Sequence, residues 1–349
     1  MTNSNSVAAI SRDDFGTAFA KARPGKRVAG RIQVGSFASG IEISIPFLIL
    51  KGARPGPCMW VNGHVHGTEI NGTWAALDFF RRLDPAELSG AVIVTPTANP
   101  LAMDARRKTA PQDEQDLDQT FPGNRKGLVS DQLSAALFEQ VSAHADLLVS
   151  LHTMGPLFVS EPYGVYKVHP ESTVSEEHLL RLLRHFHPAV ACRMSVTPGA
   201  GELPGNVPGA IDYQMLARGK PAFMVELGFG NSTDPAFIEQ GALGLIGVAA
   251  ESGILPKPAR APAASLKRVT RRTHVMTSAG GLFRARVGAA VEVAAGDAIG
   301  EIVSIYGEVL TEVSLPGNIF TIGVRRDPVV HTGDRCAFVA LEWDDYDVR

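Results

Sequence analysis

Residues 58–72 read Cys58-Met59-Trp60-Val61-Asn62-Gly63-His64-Val65-His66-Gly67-Thr68-Glu69-Ile70-Asn71-Gly72, and this stretch decides the fold. Cys58 to Val61 form a short apolar run, as a buried strand does. The polar loop Asn62 to Gly67 follows. Ile70, Trp74, Leu77, Phe80 and Leu83 then recur at steps of three and four, which predicts one face of a helix ending before Pro85. A strand that runs through a glycine-containing loop into an amphipathic helix is the repeating unit of an α/β sheet.

The same grammar extends in both directions. Upstream, Ile32 and Val34 flank Gln33, while Ile41, Ile43 and Ile45 alternate with Glu42 and Ser44. That period of two predicts a half-buried hairpin near a sheet edge, where Pro46 is tolerated. Downstream come a strand at Val92–Val94, a polar loop from Asn99 to Arg125 and a helix from about Ser130. They are followed by a strand at Leu147–Leu151, a helix from Ser175 through Phe186 and a strand at Ala222–Val225. The reading is a mixed, largely parallel sheet flanked by helices over residues 28–255, after a flexible N-terminal segment 1–27. Pro256, Pro258 and Pro262 mark a linker, 256–272, because repeated prolines disfavour helix. Residues 273–349 are short strands between turns such as Gly280-Gly281, Gly296-Asp297 and Pro316-Gly317-Asn318, a small barrel-like all-β accessory domain.

Composition narrows the function. The 349 residues suit two domains, and 45% hydrophobic against 20% charged residues support a sizeable core. Lysine and arginine number 33 and acids 36, a balance of −3 that offers neither a nucleic-acid footprint nor a polybasic membrane surface. Cys58, Cys192 and Cys336 are too few and too scattered for a disulfide framework or a cysteine-based zinc site. No apolar run approaches the ~20 residues that span a bilayer, and the first residues lack the pattern of a secretory signal. A reducing cytoplasm is the expected compartment.

Four ionisable residues fall at or just after the ends of apolar strands: His66 and Glu69, His152, and Glu226. Open α/β sheets bind ligands outside the carboxyl ends of their strands. His66 and Glu69 are three apart at a loop-to-helix junction, so both can reach one metal ion. With His152 the set is two histidines and a glutamate, which leaves a position for water as catalytic zinc sites do. Glu226 then serves as general base beside that water and as proton donor afterwards. Each residue also has an ordinary reading: Glu69 as a first-turn acid, His152 as a core histidine, Glu226 as a salt-bridge partner. His64 competes with His66. It is the agreement of all four positions that favours the metal centre.

The stretch Gly63 to Gly72 resembles the HGxE…G motif of the succinylglutamate desuccinylase/aspartoacylase family, relatives of the zinc carboxypeptidases. The resemblance continues through Asn99-Pro100-Leu101-Ala102, Asp116 to Gly123, Leu151-His152-Thr153 and Gly219 to Gly228, and into Gly280-Gly281-Leu282-Phe283 of the β-domain. It implies a zinc-carboxypeptidase-like fold, one zinc ion on His66, Glu69 and His152, catalytic Glu226, and a homo-oligomer. It also implies a cation in the loop that polarises the scissile carbonyl. Arg106, Arg107 and Lys108 are open to that role; Arg107 is favoured, with Arg106 beside it as a substrate-binding residue.

This sequence departs from the family where substrate is held. Asp118 and Gln119 stand where the family has an Asn-Arg pair for a substrate carboxylate. Glutamine lacks the guanidinium fork, and Asp118 would repel a carboxylate and attract an ammonium group. Ser150 stands where the family commonly has an aspartate that orients a ligand, a job open to Asp146 or a backbone carbonyl. Glu202 and Tyr213 are further pocket candidates. The expected activity is zinc-dependent deacylation of a small N-acylated amino acid or amine. Its rivals are a carboxypeptidase-like metallopeptidase and a non-catalytic, metal-dependent binder of small ligands.

Overall fold

The computed structural model describes residues 8–11, 14–195 and 207–348. Its centre is a run of four parallel strands, in the order Ser89–Thr95, Arg54–Asn62, Leu147–Met154 and Ala222–Phe229. Both faces of these strands are covered, which is why they read as unbroken apolar runs rather than alternating ones. Met59, Val61, Val149 and Leu151 pack with the helices Ile70–Arg82, Glu176–Leu183 and Pro235–Glu251. Trp60 and Leu148 face the other way, against the helix Val129–His144 and Phe15. The result is a three-layer α/β/α domain.

The hairpin Arg27–Ser36/Glu42–Lys51 flanks this run. Pro46 pairs on one side only, because the neighbour on the other side begins at Leu48, so the proline removes no second ladder bond. The first residues carry more structure than expected. Ala8–Ser11 adds a parallel strand beyond the hairpin, and Phe15 of the helix Phe15–Lys21 is fully buried. The helix Ile70–Arg82 forms where expected, and Phe80 and Leu83 of the expected face are buried, but Trp74 is not. Trp74 is 47% exposed, while Gly72, Ala75, Ala76 and Phe79 face the sheet. The approach is close enough that a Cβ on Gly72 would come within 2.1 Å of the Gly63 carbonyl oxygen. Small residues let the helix approach the sheet closely, and Phe79 and Phe80 fill the space beside them.

On the far side of Ala222–Phe229 the sheet continues through Tyr163–Val168, Ala191–Ser195, Ser265–Met276, Arg335–Asp347, Ile319–Arg325 and Glu292–Val293. Arg268 and Val269 align with Ala191 and Cys192, so the C-terminal chain joins the sheet before residue 273 and extends it. A separate antiparallel sheet, Val309–Ser314, Ala298–Val303, Gly281–Ala285 and Val329–Val330, closes the C-terminal β region around Phe283, Ile299 and Ile302. Tyr163, Cys192, Met224, Val269 and Phe338 form one core shared by the two parts. That shared core brings side chains of the β region to the carboxyl ends of the parallel strands.

Candidate active site

His66 lies in the loop after Arg54–Asn62. Glu69 N–H donates to the His66 carbonyl at 3.1 Å, and this turn sets both side chains at the start of the helix Ile70–Arg82. The loop lies tight on its neighbour: a Cβ on Gly67 would come within 1.9 Å of the Ala102 carbonyl oxygen. Only glycine lets the backbone approach so closely. His152 and Glu226 come from adjacent parallel strands in direct register, and Tyr163 stands opposite Glu226 on the next strand. A row His152–Glu226–Tyr163 thus crosses three strands.

Glu69 sits between the two imidazoles. Its Oε1 is 2.8 Å from His66 Nδ1 and its Oε2 is 3.2 Å from His152 Nδ1. Thr153 N–H donates to the same Oε2 at 3.2 Å. One donor atom from each of His66, Glu69 and His152 lies within 4.8 Å of the others, and all three residues are buried. Ligands held about 2.0–2.1 Å from one tetrahedral zinc stand roughly 3.3 Å apart, so these separations and this N₂O donor set fit such an ion. The outer nitrogens are already engaged. His66 Nε2 meets Asp116 Oδ1 at 2.9 Å, and His152 Nε2 meets Ser150 Oγ at 3.2 Å. Partners of this kind fix the tautomer and aim the inner nitrogen at a metal.

The electrostatics separate the two glutamates. Burial opposes the charge of Glu69, but His66 and His152 outweigh it and hold its carboxyl at about 2. Burial, reinforced by the Glu69 carboxylate, pushes Glu226 up to about 7. The Tyr163 hydroxyl reaches Glu226, yet Glu226 Oε2 is shielded from solvent without a hydrogen-bond partner. Burial works against charge on both imidazoles, but Glu69 and Asp116 raise His66, and Glu69 with Asp118 raises His152. His64, the competing ligand, is instead hydrogen-bonded through Nδ1 to Thr73 at 2.6 Å, and burial lowers it to about 4.

A cavity of about 420 Å³ opens beside these groups, within the usual range for small-molecule sites. Glu226, Asp118 and Gln119 all line it. Asp118 Oδ1 is shielded and unpartnered, and burial raises its carboxyl. Gln119 donates to Asp116 Oδ2 at 3.2 Å. Arg106 and Arg107 are not brought to the cavity. Arg106 caps the helix Pro100–Ala105 in a left-handed conformation, and Arg107 pairs with Glu114 on the surface at 3.0 Å. Lys108 is the basic residue of this trio on the cavity wall, 2.8 Å from Asp116 Oδ2. Asp146 accepts from Cys58 N–H and leaves His152 to Ser150. Tyr213 stacks near His169 rather than lining the cavity, and Glu202 lies outside the described residues.

Sequence reasoning missed Asp116, although it stands in a stretch already singled out; a carboxylate two residues before Asp118 was the available signal. It also missed Tyr163 and the wall contributed by the β region, Arg272, His274, Arg335 and Phe338. No local motif marks residues that meet the site only through sheet extension.

The model of the succinylglutamate desuccinylase/aspartoacylase catalytic domain matches residues 55–251. The chain belongs to this family. The four residues of the metal-and-base constellation all fall inside the matched span. The family is named for two deacylases, and the matched residues are those of its catalytic domain. The N-alpha-acetyl-L-2,4-diaminobutyric acid deacetylase of Halomonas elongata is 29% identical over 126 residues, a stretch that spans 36% of each chain. A succinylglutamate desuccinylase/aspartoacylase structure from Rhodobacter sphaeroides superposes with a TM-score of 0.78 at 24% identity, over 94% of this chain and 98% of that one. The product-bound ectoine utilization protein EutE (DoeB) of Ruegeria pomeroyi superposes with 0.80 at 20% identity, over 92% and 98%. At these identities the two structures speak to the fold, a helix-flanked mixed sheet with an antiparallel β region at the C-terminal end. No helix among the described residues is long and apolar enough to cross a membrane.

Proposed function

We propose that the protein is a zinc-dependent deacylase that cleaves the amide of a small N-acylated amino acid carrying a second, cationic group. The observation that carries this reading is one constellation: the buried His66–Glu69–His152 donor set with Glu226 one strand away, its Oε2 unengaged. His66, Glu69 and His152 would hold the ion, which when bound polarises the amide carbonyl and acidifies a water molecule.

The chain's own groups supply the rest. Glu226, poised near neutrality, accepts the proton of the attacking water and passes it to the leaving amine nitrogen. The Tyr163 hydroxyl and the strand register fix that carboxylate beside His152. Lys108, tied to Asp116, presents a positive charge at the cavity wall for the developing oxyanion. Asp118 offers an unpartnered carboxylate oxygen to an ammonium group, which suits a diamino acid. The Halomonas elongata relative, by its name, deacetylates such a compound.

The test is Glu226→Gln. The variant is expected to bind zinc as the wild type does and to lose about 10²–10⁴ in kcat on Nα-acetyl-2,4-diaminobutyrate and related N-acyl amines. Near-wild-type turnover would overturn the assignment of the base. A parallel panel of dipeptides decides against a peptidase if they are not cleaved.

A further inference from the structure

The β region brings two guanidinium groups to the cavity wall, exposed Arg335 and buried Arg272, and the setting of Arg272 is unlike that of the other arginines on its own strand. Arg272 is 7% exposed and lines the same cavity as Glu226 and the metal donors. On its own strand, Arg268 pairs with Asp344 and Arg271 with Glu342. Across the cavity, buried Lys167 is held by both oxygens of Asp212 at 2.6 Å. Among the described residues Arg272 has no carboxylate partner. Its guanidinium stands 5.5 Å from the centre of the Phe338 ring and reaches the Cys192 thiol. A buried charge without a counter-charge is costly, so its retention at a cavity wall calls for an anionic ligand.

The backbone agrees. The pairing of Ser265–Met276 with Arg335–Asp347 slips between Val269 and Arg271 and again between Arg271 and Arg272. Such irregularities turn a side chain out of the normal alternation, and they recur beside active sites. At this slip Arg271 pairs with a surface acid while Arg272 lines the cavity. Meanwhile the loop that could carry a carboxylate-binding arginine carries Gln119 instead.

We propose that Arg272 is the anchor for the free carboxylate of the substrate's amino-acid portion. The guanidinium fork receives the carboxylate from the β-region wall, while Asp118 takes the ammonium group from the loop wall. The substrate is then held by opposite charges on two walls of one cavity, with the acyl amide between them and the metal donors. The inference rests on the deacylase reading for its choice of probe but not for its binding test.

Calorimetric titration of the zinc-loaded protein with 2,4-diaminobutyrate and with 1,3-diaminopropane, which differ by the carboxylate, reads the anchor without turnover. Wild type is expected to bind the acid at least about 30-fold more tightly. Arg272→Met should remove most of that preference and leave diaminopropane binding within about threefold, and Arg272→Lys should fall between, since it keeps the charge but not the fork. Equal affinities in wild type, an unchanged preference in Arg272→Met, or an equal loss for both ligands would overturn the proposal. The N-acetyl derivatives of the two amines, assayed for hydrolysis, separate this from the function itself. A preserved binding pattern with no hydrolysis would refute the deacylase reading and leave the anchor standing.

Discussion

Asp116 is the group whose replacement should speak most directly to the metal centre. Its Oδ1 meets His66 Nε2 at 2.9 Å and also accepts from Asp118 N–H, while its Oδ2 takes Lys108 and Gln119. Burial opposes its charge, but His66 and Lys108 hold the carboxyl well below the usual carboxylate range. Asp116→Asn keeps the shape and loses the charge. Removing such a partner typically costs 10- to 100-fold in metal affinity, which is about 1.4–2.7 kcal/mol. Ser150→Ala supplies the internal comparison. Its hydroxyl is neutral and its contact with His152 longer, at 3.2 Å, so about 0.5–1.5 kcal/mol is expected. The pH dependence of the deficit is a second readout. Asp116 raises the affinity of His66 for protons as well as for metal, so its loss relieves proton competition as pH falls. The deficit in Asp116→Asn should therefore be largest in alkaline buffer and shrink toward acid. Competition for zinc between metal-stripped protein and a chromophoric chelator, run across pH, measures all of this. Equal affinities of Asp116→Asn and wild type, or a larger deficit in Ser150→Ala, would refute the reasoning.

Two further outcomes follow from the same geometry. Glu226 must be ionised to accept a proton, so kcat/KM should fall tenfold per pH unit on an acid limb whose midpoint lies at or below about 7, because a nearby cation draws the carboxyl down; an acid limb that is unchanged in Glu226→Gln would exclude it as the base. Asp212→Ala leaves the Lys167 ammonium buried without its partner and should cost about 3–5 kcal/mol of stability in urea denaturation, much of it recovered in Lys167→Met/Asp212→Leu; a loss under about 1 kcal/mol would mean that water reaches Lys167.

What was legible in the sequence follows physical range. The parallel strands were readable because burial on both faces leaves a continuous apolar signature, and the metal donors because strand ends are the places where an α/β sheet meets ligand. The buried face of the helix Ile70–Arg82 was readable from hydrophobicity at Phe80 and Leu83 but not at Trp74. Close approach to the Gly63 backbone selects Gly72, close approach to Gly241 of the helix Pro235–Glu251 suits Ala75, and Trp74 is left outside. The choice among Arg106, Arg107 and Lys108 depends on single backbone angles at the end of a short helix, and spacing carries no such information. Arg272 was invisible for a third reason. It reaches the site only because strand Ser265–Met276 extends the sheet, a contact separated from Glu69 by some two hundred residues of chain.

The division of labour between Glu69 and Glu226 is itself a consequence of neighbours rather than of residue type. Both are glutamates at the mouth of the same sheet. Glu69 has an imidazole on each carboxylate oxygen and a backbone N–H besides, so its charge is stabilised before any cation arrives. Glu226 is raised toward neutrality by burial and by the like charge of Glu69, which the imidazoles and the Tyr163 hydroxyl only partly offset, and one of its oxygens has nothing to bind. A carboxyl of the first kind can be a ligand and makes a poor proton carrier. One of the second kind can take and return a proton at the pH of the reaction. Exchanging the two roles would require moving the imidazoles, not the glutamates. That is why the register of His152 against Glu226, one strand over and in line, matters more to the chemistry than the distance between them in sequence.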